Sequence, residues 1–129
     1  MKSSGLTPYV LSVLRLAAAF VYVAHGTQKM FGVPGHPFHA PVFALTMLGA
    51  AGVIETIGGT FMLLGLFTRP VAFVLSGQMA VAYFTQHAPR AFWPIVNGGE
   101  LAALFCFIWL FICAAGPGPI SLDALRGKS

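Results

Sequence analysis

Between Pro8 and Ala115 the chain is divided into four apolar stretches by short segments of Gly, Pro, His and Arg. Each stretch is near the roughly 20 residues that a helix needs to cross a hydrocarbon layer about 30 Å thick. Only 8% of the 129 residues are charged and 57% are hydrophobic, so little is left over for a water-soluble domain. The expectation is an all-α integral membrane four-helix bundle in a single domain, 1–129.

The boundaries follow from residue chemistry. Pro8 suits a first helical turn, and the pattern runs to Phe31, so the first helix is predicted at about 8–31. Lys2 before an apolar run with Ala17, Ala18 and Ala19 resembles a signal peptide, but Arg15 inside the run argues for a retained helix. The Gly32 to Pro41 segment, with His36 and His39, reads as a loop. A second helix is predicted at about 42–66 and a third at about 69–86, with Thr68 as the cap between them. His87 to Trp93 forms the next loop. The fourth helix is predicted at about 94–115, ending where Gly116, Pro117, Gly118 and Pro119 cannot continue it.

The basic residues are scattered singly, which excludes a nucleic-acid face despite the formal charge of +4. Lys2, Arg69, Arg126 and Lys128 lie at one set of helix ends, Lys29 and Arg90 at the other. The positive-inside rule then puts both termini in the cytoplasm of a multi-pass membrane protein. Cys106 and Cys113, seven residues apart on one helix, are about 10 Å apart along its axis. That is too far for a disulfide, so they read as apolar packing residues.

At 100° per residue, Arg15, Ala18, Ala19, Tyr22, His25, Gly26 and Lys29 share one side of the first helix. A charge facing lipid costs roughly 2.5 to 3.5 kcal/mol on insertion scales, so this stripe is expected to face inward. Arg15 is expected to reach up to Glu55 near the middle of the second helix. His25, Lys29, Asn97, Glu100 and His87 are expected to gather towards the outer face as a substrate-binding cluster near Trp93, Phe105 and Phe107. Gly49, Gly52, Thr56 and Gly59 form a groove of small residues where another helix can approach closely.

Arg15 with His25-Gly26 and Lys29, then Glu55-x-x-Gly58-Gly59 and Leu64-Gly65-Leu66-Phe67-Thr68-Arg69, resemble the DoxX family. Asn97-Gly98-Gly99-Glu100-Leu101-Ala102 and Gly116-Pro117-Gly118 with Ser121-Leu122-Asp123 resemble its closing signature, although Pro119-Ile120 stands where an aromatic or basic residue is expected. The resemblance implies a four-helix protein of the bacterial inner membrane, in a superfamily that includes the DoxD-like membrane subunit of thiosulfate:quinone oxidoreductase. The resulting expectation is a membrane subunit of a redox system, a quinone-linked oxidoreductase subunit if it is an enzyme at all. Glu55 and Arg15 would be its catalytic pair, quinone its cofactor, and no haem or metal is expected. Its partners would be the bilayer and a redox-enzyme or other membrane protein, with self-association left open. The competing expectation is a non-enzymatic scaffold or assembly factor whose small-residue groove docks a partner.

Overall fold

The computed structural model describes residues 5–35 and 47–128, and the described residues contain helices and no strand. The helices are α1 (Thr7–Phe31), α2 (Met47–Leu64), α3 (Thr68–Ala82), α4 (Pro94–Asn97), α5 (Glu100–Ala115) and α6 (Leu122–Leu125). A π-helical turn, Tyr83–His87, extends α3. The predicted residues 42–46 of the second helix, with His36, His39 and Lys2, lie outside the described residues. Among those described, α1 is the one helix long and apolar enough to cross a membrane by itself, while Gly49–Leu64 and α5 are apolar but shorter.

The helix ends explain the departures from prediction. The second helix stops at Leu64 rather than at residue 66, because Gly65 takes the left-handed conformation (φ 65°). Gly65 N–H donates to Met62 O at 3.2 Å and Leu66 N–H to Phe61 O at 3.0 Å, the paired bonds of a Schellman motif. The fourth helix is not continuous. Gly98 (φ 76°) breaks it into α4 and α5, and the Asn97 carboxamide fills the gap by accepting from Gly99 N–H at 2.7 Å.

α1 packs mainly on α2 and α3 mainly on α5, with α2–α3 and α1–α5 contacts joining the two pairs. Tyr22, Phe105 and Trp109 fill the centre, the Tyr22 ring meeting the other two edge-on at 5.2 and 5.3 Å. Met62, Ala72, Leu75 and Ile112 pack around them, fully buried. The small-residue groove is a helix–helix seam. A Cβ on Gly26 would lie 2.5 Å from Thr56 Oγ1, one on Gly52 2.8 Å from Met30 Cγ, and one on Gly59 2.6 Å from Val23 Cγ2. Both cysteines are free.

The tail after α5 folds back as a latch across the end where α1 begins and α2 turns into α3. Asp123 accepts from Phe67 N–H at 3.0 Å and Thr68 N–H at 2.9 Å, so it caps α3 from 55 residues away. This replaces the predicted cap: the Thr68 side chain makes no capping bond, and Phe67 sits in the left-handed region (φ 50°). Arg126 lies 4.8 Å above the Phe67 ring and 3.7 Å from the Asp123 carboxylate. Burial opposes ionisation of Asp123, but hydrogen bonds from Thr68 and Phe67 and the Arg126 charge outweigh it. The carboxyl pKa therefore falls below its ordinary value. Arg69 donates to the Cys113 carbonyl at 3.0 Å and to that of Ala114, closing the C-terminus of α5.

Candidate functional site

A helical side chain leans towards the N-terminus of its own helix. Lys29, near the end of α1, therefore leans back into the molecule and meets Glu55 of α2. Its ammonium lies 2.7 Å from Oε1 and 2.6 Å from Oε2, so one cation serves both carboxylate oxygens. Close approach at Gly26 and Gly52 makes this reach possible, since Gly52 lies one helical turn from Glu55 and packs on the Lys29 Cβ. Glu55 is buried, whereas the Lys29 side chain remains 24% exposed. The pair is thus closed at the carboxylate and open at the ammonium.

On the inner side of Glu55, Gln78 of α3 donates to Oε2 through Nε2 at 3.4 Å. Tyr22 O–H donates to Gln78 Oε1. An ionised carboxylate accepts only, so the amide must point its NH2 at Glu55 and its oxygen at Tyr22. Lys29, Glu55, Gln78 and Tyr22 form one polar chain through three helices, and half-buried His25 lies within electrostatic reach of Glu55 and Lys29. The sequence placed Tyr22 on the polar stripe but missed Gln78. Its signal was available: an amide inside the largely apolar 71–84 run.

Arg15 does not pair with Glu55. The same lean that carries Lys29 inward carries Arg15, two turns into α1, towards the chain-terminal end of the molecule. There its guanidinium donates through Nε to Met62 O at 2.8 Å, through Nη2 to Ile120 O at 2.7 Å and through Nη1 to Pro117 O. Met62 belongs to the last turn of α2, where its carbonyl has room for a second donor beside Gly65 N–H, and the Gly-Pro segment exposes its own. Three carbonyls take the place of the expected carboxylate. Ser12 adds a bond to Pro117 O at 3.3 Å and accepts from Ile120 N–H at 3.1 Å, with Gly118 pressed against it.

The expected outer cluster of five residues separates into three places. Lys29 and His25 belong with Glu55. Asn97 Nδ2 donates to Tyr83 Oη and Ala91 O at 3.1 Å each, and His87 Nδ1 lies 3.3 Å from Asn97 O, so these two brace the break between α4 and α5. Glu100 is an exposed carboxylate in the first turn of α5, where the helix dipole favours it. Of the expected aromatics, Phe105 is in the core, while Phe107 and Trp93 are exposed.

Among the described residues there are two open recesses away from this polar chain. One, of about 360 Å³, is an apolar recess between α2 and α3 at Ile57 and Leu75. The other, of about 800 Å³, lies between the start of α1 and the end of α5. Neither is lined by Lys29, Glu55, His25, Gln78 or Tyr22.

The family model described as DoxX matches residues 10–88, which hold the whole Lys29–Glu55–Gln78–Tyr22 chain and Arg15. A protein of Haemophilus influenzae described as uncharacterised is 40% identical over 129 residues, with 90% of each chain covered. Inner membrane protein YphA of Escherichia coli is 28% identical over 130 residues, covering 90% of this chain and 89% of that one. No solved structure matches the chain.

Proposed function

The chain belongs to the DoxX family, and we propose that it is a multi-pass protein of the bacterial inner membrane whose Lys29–Glu55–Gln78–Tyr22 chain handles a proton for a redox partner. The membrane half of this reading is supported by an inside-out distribution of polarity. Phe20, Phe73, Leu104 and Phe107 are 61–71% exposed, while Arg15 and Glu55 are 0–1% exposed. In water such a surface would aggregate; against acyl chains it is the stable arrangement. The name of the Escherichia coli relative agrees with it. The four crossings are α1, α2, α3 with its π turn, and α4 with α5. By the positive-inside rule, Arg69, Arg126 and Lys128 at one end support a cytoplasmic location for both termini.

The observation that carries the proton-handling half is the one-sided exposure of the Lys29–Glu55 pair. An ion pair open at one end can pass a proton to or from the surroundings, while Lys29 and Gln78 both hold the buried carboxylate. In this reading the quinone belongs to the redox partner, because Lys29 already donates to both Glu55 oxygens.

Glu55→Gln in native membranes tests the site: the variant is expected to insert normally but to depress quinone-linked turnover of the partner. Unchanged turnover would support the second reading, a scaffold whose polar interior fixes the fold. What favours that reading is Arg15, whose three carbonyl bonds have a structural use alone.

A further inference from the structure

The cavity of about 800 Å³ lies where α1 starts and α5 ends, and it plays no part in the polar chain. Its walls are Val10 and Leu14 of α1, Phe111 and Ala115 of α5, and Pro119 of the latch. They are apolar along the flank and end at one cation, Lys128. We infer that this groove holds one anionic phospholipid, an acyl chain lying between α1 and α5 and the headgroup phosphate meeting Lys128.

Three features on this end of the molecule support that occupant. The volume falls in the range of about 300 to 1,000 Å³ found for ligand sites. The groove runs alongside residues 6–14, about 12 Å of helix, so an elongated apolar guest fits it better than a compact one. The residue that carries the charge is anchored through its backbone: Lys128 N–H donates to Asp123 O at 2.7 Å, which ties the end of the latch down beside the groove. Of the neighbouring charges, Arg126 faces the Phe67 ring and Asp123, and Asp123 is turned into the α3 cap. Among the described residues, Lys128 is thus the ionic group that the groove presents. A phosphate at the level where α1 begins and α5 ends lies at the headgroup depth of a bilayer, where each basic side chain attracts anionic lipid.

The inference rests on the membrane reading, and the test separates the two. Alkaline carbonate extraction of membranes carrying the full chain comes first; release of the chain into the supernatant would overturn the membrane reading and this site with it. The retained chain is then reconstituted with equimolar phosphatidylglycerol and phosphatidylcholine, extracted in mild detergent and examined by native mass spectrometry. One phosphatidylglycerol per chain is expected, preferred roughly fivefold over phosphatidylcholine, the effect of one cation at a membrane surface. Lys128→Gln, a change at an exposed side chain, is expected to abolish the preference. Ala115→Trp, which fills the groove, is expected to abolish retention of either lipid. Equal retention of both lipids, a preference that survives Lys128→Gln, or a quinone or second copy of the chain in place of the lipid would each overturn the site while leaving the membrane reading intact.

Discussion

The Lys29 ammonium lies within 2.7 Å of both carboxylate oxygens of Glu55, and these two side chains, 26 residues apart, join α1 to α2 at the centre of the polar interior. The pairing is asymmetric, because Glu55 is sealed while Lys29 retains contact with the surroundings. That asymmetry sets what each substitution does.

Lys29→Met leaves a buried carboxylate with only the long Gln78 bond to hold it, and a cost of about 3 kcal/mol is expected. Glu55→Gln costs less, because the Lys29 ammonium can swing towards the wet end. The double variant is expected to recover much of the Lys29→Met loss, since no charge is then stranded. Thermal unfolding in detergent measures all three. A double variant no more stable than Lys29→Met would contradict the pairing.

Arg15→Leu removes three charge-assisted hydrogen bonds, and although Met62 O keeps Gly65 N–H and Pro117 O keeps the Ser12 hydroxyl, a loss of about 3 kcal/mol is expected. Arg15→Lys is also expected to be costly, because an ammonium cannot reproduce the planar fork that reaches three carbonyls. The latch should come free in both, so protease cleavage within 116–128 is the readout. Full protection of that segment in Arg15→Leu would show that the guanidinium does not hold it.

Asp123 gives the latch a defined pH response. Its folded pKa lies below the ordinary 3.8, so the stability it contributes is present above that value and is lost as pH falls through the lower, folded one. Protease sensitivity of the tail is expected to rise only on acidification below about pH 4. In Asp123→Asn the tail should be looser at neutral pH and this acid step absent. A step that persists in Asp123→Asn would assign it to another group.

Two glycines with opposite surroundings give a paired check of the packing. Gly65 holds φ 65°, and a Cβ there would collide with Ser121 and lie 3.0 Å from the Arg15 guanidinium carbon. Gly65→Ala should destabilise the protein by at least about 1 kcal/mol. Gly77, in α3 with nothing within 4 Å of its Cβ position, is expected to gain roughly 0.5 to 1 kcal/mol as Ala. Equal responses at both positions by thermal unfolding would contradict the close approach of the latch to the α2 turn.

The sequence alone determined the helical class, the approximate spans of the helices, the inward stripe of α1 and the small-residue seam of α2. These depend on local periodicity and on a scarcity of charge that leaves ionic groups nowhere else to go. It also marked the Gly-Pro stop and the Ser121-Leu122-Asp123 stretch, but without the use they have. Which cation meets Glu55 was decided by tertiary structure. Arg15 and Lys29 lie on one stripe, and only the backward lean of each side chain, with the level at which α2 crosses α1, directs one to the carboxylate and the other to a ring of carbonyls. The Asp123 cap on α3 and the scattering of His25, His87 and Glu100 have the same origin. Depth along a helix can be read from a sequence, but the rotation and offset of one helix against another come from contacts between residues far apart in the chain.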